Sequence, residues 1–246
     1  MSPVIRSEFR KLTTVRGPWL LLAAEPLIAI AGISGLVASG RNLNDPTVQN
    51  MALAHVGLAA MLALIFGILA VAAEYRHRTA TDTFLSFPAR GRVVAAKLAV
   101  YGLVGGAAGV VTAIVAVLTV AACWAAKGVS FPLLTTDTWR TVGGSVAVNV
   151  AFAVIGVGVG ALIRNVVAAV GAALAWIALI ESIAGQLLGS GLARWLPFSA
   201  SQALDRSNMS TTASLLPQWG GALVLLGYAM AVAAAALVTT LTRDVT

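Results

Sequence analysis

Long apolar runs alternate with short polar ones along this chain. The apolar runs cover about 18–38, 51–73, 98–123, 142–163, 166–188 and 219–241. Each can carry a helix across about 30 Å of hydrocarbon, for which roughly 20 apolar residues suffice at 1.5 Å per residue. The pattern predicts an all-α polytopic membrane fold with six transmembrane helices, forming one domain over 1–246. Only Arg164 and Asn165 separate the fourth run from the fifth, so these two helices must form a tight hairpin.

The stretch before the first run, "SPVIRSEFRKLTTVRG", has a different period. Ser2 can cap a helix, Pro3 suits its first position, and Ile5, Phe9 and Leu12 recur at i, i+4 and i+7, while Arg6, Arg10 and Lys11 take other faces. This predicts an amphipathic helix over 1–16 lying in the membrane interface; a frayed basic tail is the alternative.

The densest polar patch is "EYRHRTATDTFLSFPARGRVVAAK", Glu74 to Lys97, between the second and third runs. It is longer than the 2–8 residues, roughly, that a helix–helix turn needs. Thr79 to Asp82 fits the [ST]-x-x-[DE] capping pattern and Pro88 disfavours helix at Phe87, which predicts a short helix over about 80–86. Ala80, Phe84 and Phe87 would line one side, with Leu85 adjacent and Arg76, Arg78, Arg90 and Arg92 around them. An aromatic knob with a charged rim fits a docking plug for a cytosolic partner. A basic loop resting on anionic lipid is the alternative.

Composition agrees with the bilayer as solvent. Hydrophobic residues make up 59% and charged residues only 10%, with mean hydropathy +0.91, whereas a soluble domain carries about 25% charge. The net charge of +7 would suit nucleic acid in a soluble protein. Here the basic residues flank the apolar runs, so membrane orientation explains them and nucleic acid is not expected. With both termini inside, eleven Lys and Arg are cytoplasmic (Arg6, Arg10, Lys11, Arg16, Arg76, Arg78, Arg90, Arg92, Lys97, Arg164, Arg243) and five lie outside (Arg41, Lys127, Arg140, Arg194, Arg206). That asymmetry predicts an N-in, C-in arrangement. One cysteine, Cys123, and two histidines, His55 and His77, leave almost no material for a disulfide framework, a metal centre or a His-based triad. No catalytic residue and no metal ligand is assigned.

"EYRHRT" and "FPARGRVVAAK" resemble the cytoplasmic loop of ABC-2-type ABC transporter permeases, in which a Glu-x-x-x-Gly-Thr element ends the second span and a Pro, basic residues and a Lys open the third. Glu74, Thr79, Pro88, Arg90 and Lys97 stand at the matching places. The opening "SEFRKLTTVRGPW" is similar to the family's N-terminal interfacial helix. Arg78 occupies the position where the family commonly has glycine, which weighs against a tight backbone turn there. The resemblance implies that the loop is a coupling helix seated on an ATP-binding subunit, with Glu74, Arg76, Thr79, Asp82, Phe84, Leu85, Phe87, Pro88 and Arg90 as the coupling residues. It further implies an exporter in the bacterial plasma membrane that pairs with a second permease subunit, identical or different. The chain has no G-x-x-x-x-G-K-[ST] motif. ATP and Mg are therefore expected on the separate subunit, and no cofactor or enzymatic activity on this chain.

Polar residues inside the runs are the remaining candidates. Glu25 sits near the inner end of the first run, next to Pro26, where a local structural role is expected. His55, Asn149, Glu181 and Gln186 fall in outer halves and are candidates for a translocation path, with helix glue as the alternative, favoured for Asn149 and Gln186. Gly102, Gly106 and Gly109 in the third run, and Gly156 and Gly160 in the fourth, mark helix-packing faces. In the segment 189–218, the resemblance to the permease family further implies a short helix dipping into the outer leaflet, for which "LARWLPF" is the candidate. Rival readings are a secondary transporter, which usually shows internal repeats, a membrane enzyme, and a membrane scaffold or immunity protein.

Overall fold

A computed structural model describes residues 3–187, 189–207 and 215–242; the predicted Ser2 cap and Arg243 lie outside them. Helix accounts for 85% of the described residues, with no strand among them. Backbone polar groups are thus satisfied within each segment, as hydrocarbon demands.

Among the described residues, six helices are long and apolar enough to cross a membrane. Five are continuous: α2 (Arg16–Ala38), α3 (Pro46–Arg76), α5 (Arg90–Ala126), α6 (Thr136–Ile163) and α11 (Gln218–Thr242). The fifth in chain order, Val166–Leu187, is composite: α7 (Val166–Ala175), a π-helical turn (Trp176–Ile180) and α8 (Glu181–Leu187). Shorter helices are α1 (Pro3–Thr14), α4 (Ala80–Ser86), α9 (Ser190–Ala193) and α10 (Pro197–Asp205). The helices overrun the apolar windows where capping chemistry lets them. Asp45 accepts from Thr47 N at 2.8 Å and Pro46 opens α3, so α3 starts five residues ahead of its window at 51.

Arg164 and Asn165 alone join α6 to α7. Arg164 closes α6 in the left-handed region (φ 57°), and the Asn165 side chain accepts from Ala168 N at 3.0 Å.

At one end of the bundle, here the basic end, α1, the last turn of α3, α4, the start of α5, the α6–α7 turn and the end of α11 converge. Arg90 donates to the Thr240 carbonyl (3.4 Å) and Arg164 to that of Thr239 (3.5 Å), while the Arg164 guanidinium lies 5.0 Å from the Tyr75 ring. Leu12 is buried there with Phe66, Val94 and Val100, and Ile5 and Phe9 pack against them. The apolar side of α1 thus meets protein. Toward the opposite end, buried Trp124 donates to the Leu43 carbonyl (3.0 Å) and takes the Phe131 ring edge-on at 5.3 Å.

Packing is closest between α3 and α6. A Cβ at Gly156 would overlap the Leu64 carbonyl, one at Gly67 the Ala153 carbonyl, and one at Gly160 would lie 2.6 Å from the Ile68 carbonyl. The two backbones approach because glycine stands at the crossing, as membrane helices without a hydrophobic drive between them require. On α5, Gly109 packs against Asn149, and Gly102 and Gly106 against Val154 and Val150. Gly156→Ala is expected to cost about 2–3 kcal/mol by overpacking, while Gly171→Ala, with open space at its Cβ, should gain a few tenths to about 1 kcal/mol of helix propensity. Thermal unfolding of the two purified variants checks the contrast.

Candidate functional site

At the basic end, four charged groups from three helices form one ionic knot. The Lys97 ammonium (α5) donates to Glu8 Oε2 at 2.7 Å, to Glu74 Oε1 at 2.7 Å and to the Ala70 carbonyl at 3.0 Å. Lys11 donates to Glu8 Oε1 at 2.8 Å, to Glu74 Oε1 at 2.7 Å and to Thr83 Oγ1 at 3.1 Å. The Lys97 and Glu8 side chains are only 4% and 1% exposed, so neither charge leans on water. Two ammoniums balance two carboxylates, and all three protons of each ammonium have an acceptor. Burial pulls the Lys11 ammonium down, but the carboxylates of Glu74 and Glu8 outweigh it and hold the group above its ordinary range. Lys11 therefore stays charged at any physiological pH.

Through Thr83 the knot holds α4, the helix predicted over 80–86 and found over Ala80–Ser86. Ala80 and Thr83 are its buried residues. Thr83 also donates back to the Thr79 carbonyl at 3.0 Å. Thr79 stands at the N-cap, but its hydroxyl makes no capping bond and turns to the Glu74 carbonyl at 3.5 Å. The tight turn that an arginine at 78 weighs against is present. Arg78 has φ 58°, in the left-handed region, where a non-glycine residue costs about 1–2 kcal/mol.

Phe84 is half-buried, with the Arg90 guanidinium 5.6 Å from its ring centroid. The side chain that projects is Leu85, 75% exposed, and Phe87 is half-buried. Arg76, Asp82 and Pro88 are exposed around it.

The intramembrane candidates do not form one cluster. Asn149 donates to the Val56 carbonyl (3.3 Å) and the Ser145 carbonyl (3.0 Å), tying α6 to α3. The His55 ring rests against Gly32 of α2, with Nδ1 2.8 Å from the Met51 carbonyl. Gln186 is exposed near the end of α8. Glu25 is fully buried and accepts from Thr112 Oγ1 on α5 at 3.5 Å.

Glu181, which has no basic neighbour in sequence, finds a helix end instead. Its carboxylate accepts from Phe198 N (2.8 and 3.1 Å), Ser199 N (3.2 Å) and Trp176 Nε1 (3.2 Å). These amides are the free donors in the first turn of α10, where a carboxylate is stabilised by hydrogen bonds and the helix dipole. α10 in turn sinks into a recess made by glycines. Gly57 of α3 faces the Asp205 carboxylate, Gly144 of α6 the Leu204 carbonyl, and Gly221 of α11 the Ala200 carbonyl. Burial pushes Asp205 up to about 7, against the opposing pull of its bonds to Ser207.

The residues that sequence reasoning missed are Glu8 and Lys11 as members of the knot. Their signal was weak, because Glu8 is a single acid within a basic stretch. The chain matches no model of a known protein family and no curated protein.

Removing one partner of a buried ion pair strands the other, at a cost of about 3–5 kcal/mol. Lys97→Met should destabilise by that amount, and Lys11→Met, whose side chain is 32% exposed, by about 1 kcal/mol. Thermal unfolding in one detergent measures the difference.

Proposed function

We propose that this chain is the permease subunit of an ATP-driven exporter of the ABC-2 type, oriented with the basic end in the cytoplasm and working with a separate ATP-binding subunit. One observation carries the reading: α4 exposes Leu85 outward while Thr83, on its inner side, is wired through Lys11 to Glu8, Glu74 and Lys97. A helix that only filled a loop has no need of a buried charge network behind it. A helix that takes a push from a soluble partner does, because the force must reach α1, α3 and α5 without being lost in side-chain rotation. The clustering of Arg76, Arg78, Arg90, Arg92 and Arg164 at that end supports the cytoplasmic orientation. The apolar, exposed outer faces of α2 and of the composite fifth helix leave room for a second permease subunit in the membrane.

In this reading the partner receives Leu85, with Phe84 as the platform beneath it and Arg76 and Asp82 at the rim. An anchor side chain in a central pocket contributes about 2 kcal/mol, roughly thirtyfold in affinity. Leu85→Ala should therefore release the ATP-binding subunit during purification, or leave it bound with ATP hydrolysis no longer tied to export, while the amount of permease in the membrane stays unchanged. Recovery of the ATPase and coupled hydrolysis unaffected by Leu85→Ala would overturn the docking assignment.

A further inference from the structure

A cavity of about 300 Å³ lies between α3, α6, α7, the π turn, α10 and α11. Its wall is almost wholly apolar, with Ile155 and Val159 from α6, Ala173 from α7, Ile177 from the π turn, Phe198 from α10 and Tyr228 from α11. The void has local causes. α7 presents alanines where leucine would close the gap. The π turn, a form often found at functional sites, contributes Trp176 and Ile177 to the wall. Glu181 bridges two parts of the wall, accepting from Trp176 Nε1 on one side and Phe198 N on the other.

From this geometry we infer that the cavity binds one acyl chain of a bilayer phospholipid, from the leaflet at the basic end. An apolar cavity does not hold water, and the solvent at this depth is hydrocarbon. Ala172 and Trp176 are exposed at the rim, so the opening is sideways, toward lipid. The α6 side of the lining runs from Phe152 to Ile163. Those eleven steps span about 16 Å, close to half of the roughly 30 Å hydrocarbon thickness, the reach of one leaflet's tail. Arg164 follows Ile163 directly, which puts a cation at the end where the phosphate headgroup belongs. The inference is independent of any transport role.

The test uses the full chain in phosphatidylcholine–phosphatidylglycerol vesicles doped with a phospholipid carrying a photoreactive diazirine on one acyl chain, with labelled peptides mapped after irradiation. Labelling at Val159 and Ile177 should saturate as probe increases and fall when excess unlabelled phospholipid is added, while labelling at lipid-facing Leu118 and Leu226 rises in proportion to probe. Ala173→Phe, which fills the cavity, should abolish the saturable part only. Proportional labelling at all four sites in the wild-type chain overturns the inference, whether or not the Phe variant folds. So does crosslinking of this wall to a second copy of the chain, or saturation by added detergent but not by phospholipid.

Discussion

One ammonium group, that of Lys97, organises the basic end. It is buried 23 residues beyond Glu74 and 89 beyond Glu8, and it bonds both, together with the Ala70 carbonyl. An isolated charge at that depth would be prohibitive. The site exists only if α1, α3 and α5 arrive together. α1 is therefore part of the fold, docked by Leu12 and locked by Glu8. Lys11 repeats the arrangement at the edge and extends it to α4, so a short surface helix shares its attachment with three longer ones.

The opposite end solves a related problem with backbone rather than charge. Among the described residues no cation pairs with Glu181, and the first-turn amides of α10 take that place. α10 enters the bundle because Gly57, Gly144 and Gly221 leave it room. The same tie between the composite fifth helix and α10 shapes the apolar cavity. Both ends thus hold a buried carboxylate by hydrogen bonds that hydrocarbon cannot supply.

Much of the fold was legible because hydrocarbon imposes a length. The six apolar runs, the two-residue turn at Arg164 and Asn165, the helix over 80–86 and the packing face of Gly156 and Gly160 follow from periodicity and residue size. The choice of α3 as the helix that meets those glycines does not. Helix ends were less legible: α5 runs on through Arg90 and Arg92, where hydropathy falls but helix propensity does not. The knot was half legible. Glu74 and Lys97 flank spans and draw notice, whereas Glu8 gains meaning only from partners in distant sequence. The aromatic knob expected on α4 was less legible, since Arg90 lies over Phe84 and Leu85 is the side chain left outward. Glu181 could not be assigned from its surroundings, because its partners are backbone amides of a helix 17 residues away.

The central claim is that the knot makes α4 and the membrane helices one mechanical unit, and hydrogen–deuterium exchange of α4 tests it most directly. Among the described residues Lys97 is hydrogen-bonded to no atom of α4, only to the Ala70 carbonyl and to the two carboxylates that also hold Lys11. If the knot transmits, Lys97→Met should accelerate exchange at the amides of Ala80–Ser86 and Pro3–Thr14 together, and leave Pro197–Asp205 at the other end protected. Unchanged exchange in Ala80–Ser86, with α1 alone released, would contradict the account.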